Sequence, residues 1–191
     1  RGREFTDSFW GMTAVGSARA MLDAGFTTIR NVGAGHRNDI GLKQAIDNGY
    51  AVGPRIVPAG YALGATGGHC DSTFLPPSLE KDHKEEGIGD SIDELRYQVR
   101  RQRKFGAEVI KVCATGGVFS RNTEPGQQQL HEAELKAIVD EALGLGGCEA
   151  IKNVVVYQRT KGNIAMVAGR DLWLHELMDK QSDQCEPEWV S

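Results

Sequence analysis

A lysine inside an apolar run, followed closely by glycines, is the feature of this sequence with the clearest capacity for chemistry. The run reads Val-Ile-Lys-Val-Cys over residues 109–113, and Gly116 and Gly117 come soon after it. Burying an ammonium group is costly unless the group is paired or chemically altered. Lys111 is therefore either a salt-bridged core lysine, with Glu108 as one candidate partner, or a functional residue. On the pattern alone, the salt bridge is the more common case.

Two further side chains with chemical potential lie in glycine-rich connections. His69 follows Gly67 and Gly68, which allow the backbone to fold close to a ligand. Arg121 lies in the connection that follows the lysine run, and a guanidinium there can clamp a substrate carboxylate in a bidentate pair. The alternatives are a loop histidine exposed to water and a solvated loop arginine.

The elements that must position these residues follow from hydrophobic spacing. Helical periodicity and short apolar runs alternate along the chain, which is typical of βα units with a parallel sheet. Right-handed crossovers between such units build part of a (β/α)₈ barrel. Helices are predicted over 8–24, 39–48, 91–105 and 131–145, and strands over 27–32, 55–59 and 109–113. The first helix is expected to bury one stripe: Trp10, Ala14, Val15, Ala18, Met21 and Leu22.

Composition narrows the class of partner and compartment. A net charge of -4 with 25% charged residues argues against a nucleic acid or an anionic membrane as partner. No apolar run reaches the length of a membrane span, and the first residues show no signal-peptide pattern, so a cytoplasmic enzyme is expected. The four cysteines form no CxxC pair, so reduced thiols are expected, with Cys113 as a small buried hydrophobe.

Several motifs in order carry a family resemblance. They lie at residues 25–33, 53–60, 65–71 and 119–126, on either side of the lysine run. Together they resemble the amidohydrolase superfamily, in the branch of imidazolonepropionase-related metallo-dipeptidases that cleave Xaa-Pro and related dipeptides. The resemblance runs from about Phe9 to Leu145. Because it depends on several long motifs, it is more specific than any single short pattern.

The resemblance implies a fold, a cofactor and roles for residues. It implies a TIM-like barrel whose Lys111 reacts with carbon dioxide, so that the resulting carboxylate bridges two divalent metals, expected to be zinc. His69 would hydrogen-bond the substrate carbonyl and stabilise the oxyanion that forms when metal-bound hydroxide attacks. Arg121 would bind the substrate, which would be a dipeptide or another small amide.

The sequence also departs from the family pattern. A complete barrel takes about 250 residues, and the expected His-x-His motifs are absent, so residues 1–146 are predicted to be a truncated, partial barrel. Residues 147–191 carry no family motif and are predicted to be a divergent tail that does not continue the barrel. By itself the chain is then expected to be weakly active or inactive. The alternative is a non-catalytic α/β remnant that self-associates as a homo-oligomer through exposed apolar edges.

Overall fold

The chain folds into two compact units, Arg1–Leu145 and Gly146–Ser191. The computed structural model describes residues 4–74, 76, 78, 86–157 and 163–182. In the first unit, helices and strands alternate along the chain. They are α1 (Asp7–Asp23), β1 (Thr28–Arg30), α2 (Asn38–Asp47), β2 (Arg55–Val57), α3 (Ile92–Phe105) and α4 (Glu132–Gly144), with a 3₁₀ turn at Gly35–Arg37 before α2.

Local signals in the sequence define the helix ends. The Ser91 hydroxyl accepts a hydrogen bond from the Glu94 N–H at the start of α3, and Gly106 ends that helix in the left-handed conformation with φ 108°. The four predicted helices are confirmed to within two residues at each end. The predicted buried stripe of α1 is wrong for Trp10, Val15 and Met21, which are 44%, 37% and 43% exposed, because the described residues give this helix few packing partners.

The strands pair in parallel, as the βα pattern predicts. β1 lies beside β2 with Ile29 opposite Ile56. Past β2 the chain turns at Gly60, whose φ is 68°, and reaches Leu63, which forms a parallel bridge with Val112 of the lysine run. The α/β class is therefore confirmed. The described residues contain only two two-stranded sheets and no closed barrel.

The lysine run is shorter as a strand than predicted. It pairs with the chain after β2 at one bridge, between Leu63 and Val112. There the Leu63 N–H donates to the Lys111 carbonyl and the Cys113 N–H donates to the Leu63 carbonyl, each at 2.8 Å. The chain then pairs with a later stretch in the opposite direction. The Ala114 carbonyl accepts the Gln129 N–H, and Thr115 forms an antiparallel bridge with Gln128. Residues 109–113 are thus an extended segment, called here the lysine segment, and not a regular strand.

A buried carboxylate fixes the turn that follows β2. Asp39 is 4% exposed, and one of its oxygens accepts hydrogen bonds from the Ala59 and Gly60 N–H groups, each 3.0 Å long. This turn begins the extended chain that leads to Leu63. Asp39 therefore couples the first turn of α2 to the segment that supports the lysine run.

Replacing Asp39 with alanine is expected to destabilise the protein by about 3 kcal/mol, because two buried N–H groups lose a charged acceptor. Urea unfolding monitored by circular dichroism measures the loss. The matched control is Asp47→Ala in the same helix, whose half-exposed carboxylate pairs with Lys43 at the surface and should contribute less than about 1 kcal/mol. Equal effects of the two substitutions would contradict the role assigned to Asp39.

The second unit contains a short parallel pair. β3 (Val154–Val156) lies beside β4 (Asp171–Trp173), which leads into α5 (Leu174–Met178). β3 falls within residues 151–157, where a strand is compatible with the sequence. The polar residues Asp183, Gln184 and Glu186, which contribute to the prediction of a divergent tail, lie outside the described residues.

Candidate functional site

The lysine segment presents alternate side chains to opposite faces. Ile110 and Val112 pack against the core cluster of the first unit, which consists of Leu63, Leu95, Val99, Leu130 and Ile138. Because side chains alternate along an extended chain, Lys111 and Cys113 belong to the face away from this cluster. Cys113 forms a disulfide with Cys70, the residue after His69. Lys111 therefore lies on the same face of the segment as Cys113, whose disulfide leads to the residue next to His69.

The structure bears on the alternative of a salt-bridged lysine. Glu108, the candidate partner, instead contacts Lys43, with 3.4 Å between Nζ and Oε1. Within the described parts of the chain, Lys111 forms no ion pair. It is nevertheless half-buried. A lysine that is half-buried as a residue and forms no ion pair among the described residues is compatible with either of the two roles considered for it.

Two loops meet around His69. They are the His69 loop, residues 65–74, and the glycine loop, residues 114–129, which begins directly after the lysine segment. The His69 N–H donates to Gln129 Oε1 at 2.9 Å, and its ring Nδ1 lies 2.7 Å from the Ser120 hydroxyl. Gly117 lies against the imidazole so closely that a Cβ there would overlap the ring. The side chain itself is exposed at the rim of the loops.

Substituting Gly117 with alanine is expected to displace the His69 ring and to break its hydrogen bond to Ser120, because the new methyl group would occupy the space of the imidazole. The His69 side-chain resonances in an NMR spectrum report the change. Gly41→Ala in α2 is the matched control, since a methyl group at Gly41 would meet no atom within 4 Å. An unchanged His69 environment in the Gly117 variant would contradict the contact.

Arg121 lies on the same side of the first unit as His69. Its backbone N–H donates to the Thr73 hydroxyl at 3.1 Å, and its guanidinium carbon is 5.7 Å from the centre of the Phe74 ring. Both partners belong to the His69 loop. The guanidinium is exposed and lies within the range of a cation–π contact, which leaves its hydrogen-bonding edge accessible to an anionic group.

Local sequence patterns do not indicate all the residues that shape this region. Ser120 and Gln129 hold His69 from the glycine loop, and nothing in the local spacing marks either of them. The Cys70–Cys113 disulfide corrects the expectation of reduced thiols. The two cysteines lie far apart in sequence, and only the meeting of the two loops brings them together. The burial predicted for Cys113 is confirmed, since it is 6% exposed.

A cavity of about 290 Å³ lies beside the His69 loop. It opens where the chain leaves β1 and β2, the end of a parallel sheet at which ligand sites form. Its lining residues are Gly33, Ala34, Gly35, Tyr61, Ala62, Cys70, Asp71, Ser72, Glu86 and Ile88. Burial raises the pKa of the Tyr61 hydroxyl, so it stays protonated at neutral pH. His69, Lys111 and Arg121 do not line this cavity, so the cavity does not bring the three candidate residues together.

The residues present do not by themselves form a metal centre. Within the described ranges there is no group of three or more His, Cys, Asp or Glu side chains that could hold a metal ion. A dinuclear zinc site needs several ligands around each ion. Lys111 can supply one bridging position at most, and the other ligands would have to come from outside these residues.

Comparison with known proteins establishes the family. The model of the amidohydrolase family matches residues 5–146, and the chain belongs to that family. A Xaa-Pro dipeptidase with methionine bound in its active site is 32% identical with a TM-score of 0.71, over 81% of this chain and 37% of that one. A prolidase complexed with N-methylphosphonate-L-proline is 33% identical with a TM-score of 0.64, over 80% of this chain and 37% of that one.

A second similarity is of a different kind. The chain is 62% identical over 82 residues to the acetyl-coenzyme A synthetase of Burkholderia mallei strain SAVP1. The aligned stretch covers 43% of this chain and 12% of that protein. The amidohydrolase match leaves fewer than 82 residues uncovered, so the two similar stretches overlap. The chain thus spans well under half of each of these three proteins. None of the described helices is long and apolar enough to cross a membrane.

Proposed function

We propose that residues 5–146 form one side of the active site of a metal-dependent amidohydrolase that cleaves the amide bond of a small substrate, with Xaa-Pro dipeptides as the favoured class. The observation that carries the proposal is the placement of Lys111. It is half-buried without an ion-pair partner in the described structure, and it lies on the face of the segment that the Cys113–Cys70 bond joins to His69. The similar dipeptidase and prolidase structures support the choice of substrate.

The proposed fold is a truncated TIM-like barrel. The chain supplies three parallel extended segments, and the similar dipeptidase is far longer than the part that matches. In this arrangement, residues 147–191 are a separate tail and not the next barrel unit. Lys111, as an N-carboxylate, would contribute one bridging ligand to a pair of divalent metals. When bound, such metals supply Lewis acidity and an activated water molecule.

His69 is proposed as the oxyanion donor. The Ser120 hydroxyl oxygen lies 2.7 Å from Nδ1 and 3.5 Å from the His69 carbonyl oxygen. In the proposed tautomer Nδ1 accepts the Ser120 hydrogen bond and Nε2 carries the proton. That N–H can then donate to the carbonyl oxygen of the substrate as negative charge develops on it. Gln129 positions the main chain of His69 and Gly117 leaves room for the ring, so the donor is held in place before reaction, which is what makes such groups effective.

Arg121 is proposed to bind the carboxylate of a dipeptide. Arg121 is held over the His69 loop by two contacts. They are the cation–π contact of its guanidinium with Phe74 and the hydrogen bond from its backbone N–H to the Thr73 hydroxyl. A guanidinium in this position can pair with a planar carboxylate through two hydrogen bonds. The amide carbonyl and the terminal carboxylate of a dipeptide would then contact His69 and Arg121 respectively.

A chimera tests the proposal. In it, residues 5–146 replace the matching segment of the similar Xaa-Pro dipeptidase, so that the remaining barrel supplies the other ligands. Hydrolysis of Xaa-Pro dipeptides above the buffer rate, with metal bound, supports the proposal. A folded chimera that binds no metal and hydrolyses nothing would contradict it.

The second candidate is a non-catalytic, self-associating remnant of the family. The exposed aromatic cluster at the start of α1 favours it. Phe5 stacks on Phe9, and Trp10 packs edge-on against both, yet each of the three is more than a third exposed. Exposed apolar patches of this kind promote association. Sedimentation of the chain combined with its metal content separates the candidates: metal-free oligomers would favour the remnant.

A further inference from the structure

The His69 loop and the lysine segment are joined covalently as well as by hydrogen bonds. The Cα atoms of Cys70 and Cys113 are 5.9 Å apart, and the two residues are separated by 43 positions in the sequence. Cys70 directly follows His69, and Cys113 directly precedes the glycine loop. The disulfide therefore ties the middle of the His69 loop to the residue after which the glycine loop begins.

We propose that this pair is a reversible redox clasp that holds His69 against Gly117 and Ser120. Apart from the disulfide, the contacts that fix His69 are hydrogen bonds to Gln129 and Ser120. His69 is exposed, so water competes for these bonds and each contributes little by itself. The crosslink restricts how far the loops can separate. Oxidation of the two cysteines would thus reduce the mobility of the His69 loop and the glycine loop without altering the helices of the first unit.

The burial of the two cysteine residues sets the order of the chemistry. Cys113 is 6% exposed, whereas Cys70 is half-buried. A low-molecular-weight disulfide therefore reaches Cys70 first. The deprotonated Cys70 sulfur attacks one sulfur of that disulfide and releases a thiol, which leaves a mixed disulfide on Cys70. The Cys113 sulfur, after losing its proton, then attacks Cys70 and releases the second thiol. Two electrons pass from the cysteine pair to the small disulfide, and the two protons end on the released thiols.

The redox clasp makes a local prediction. In a Cys148→Ser/Cys185→Ser background, which leaves only this pair, the chain is equilibrated with glutathione disulfide or with reduced glutathione. Hydrogen–deuterium exchange of peptides covering 65–74 and 117–123 should be at least roughly tenfold slower in the oxidised chain, because a crosslink over a loop of this length strongly restricts opening. Peptides from α3 should exchange at the same rate in both states.

Controls separate the clasp from a general structural crosslink. Cys70→Ser in the same background should show the fast exchange under both conditions, and alkylation followed by mass spectrometry confirms which state is present. Equal exchange of the two loops in the oxidised and reduced chains would overturn the proposal. So would slowing that extends equally over α3 and α4, or a pair that glutathione disulfide never oxidises. None of these results depends on the hydrolase activity.

Discussion

Replacing Lys111 with alanine in the dipeptidase chimera is expected to remove at least one bound metal and to lower the rate of hydrolysis by more than about 100-fold. A ligand shared by two metals contributes more than the outer contacts around a site, whose loss typically costs 10- to 100-fold. Inductively coupled plasma mass spectrometry gives the metal content, and hydrolysis of Xaa-Pro dipeptides gives the rate. Lys111→Met should behave in the same way, since methionine retains the apolar stem but has no nitrogen to carboxylate.

Lys104→Ala is the matched control for this substitution, because Lys104 lies in the last turn of α3 and its Nζ lies 5.5 Å from the centre of the Phe105 ring of the same helix. It should leave metal content and rate unchanged. Circular dichroism shows whether each variant is folded. If the folded Lys111 variants retain full metal and near-normal turnover, then Lys111 is a structural lysine and has been wrongly assigned as a ligand.

The His69→Ala chimera is expected to keep its metal and to lose about 100- to 1,000-fold in kcat, or roughly 2.7–4 kcal/mol, by analogy with other oxyanion donors. The loss falls on kcat because the hydrogen bond strengthens as charge develops on the substrate oxygen. Ser120→Ala should cost less, about fivefold, since it removes one hydrogen bond that orients the ring.

The two His69-region variants together distinguish the possible roles of the imidazole. Loss of metal in His69→Ala would make this residue a ligand and not a donor. A rise in KM with an unchanged kcat would assign it to substrate binding alone. If Ser120→Ala were as damaging as His69→Ala, the hydroxyl itself would have to act on the substrate.

Local patterns in the sequence were sufficient to predict the elements of the first unit. Ser91 and Gly106 bound α3, and the alternation of Ile110, Lys111 and Val112 indicates an extended segment with its lysine on one face. Such signals depend on neighbours in the chain. The exposure of Trp10 in α1 could not be predicted in this way, because burial depends on which other elements are present to cover a helix face.

The contacts of the site required the tertiary structure. Gln129 and Ser120 hold His69 from positions 60 and 51 residues away in the sequence, and the Cys70–Cys113 bond spans 43 positions. No periodicity relates residues at such separations. The family resemblance identified Lys111, His69 and Arg121 as candidates, and the loops explain how Arg121 and His69 come to lie on one side of the fold.

The central claim is that residues 5–146 supply a functional part of a metal-dependent amidohydrolase site. The most direct test measures metal content and Xaa-Pro dipeptide hydrolysis of the unsubstituted chimera before and after chelation. We expect about two divalent ions per chain and hydrolysis that stops on chelation and returns when zinc is added. A folded chimera without metal, or one whose hydrolysis is indifferent to the chelator, would contradict the claim.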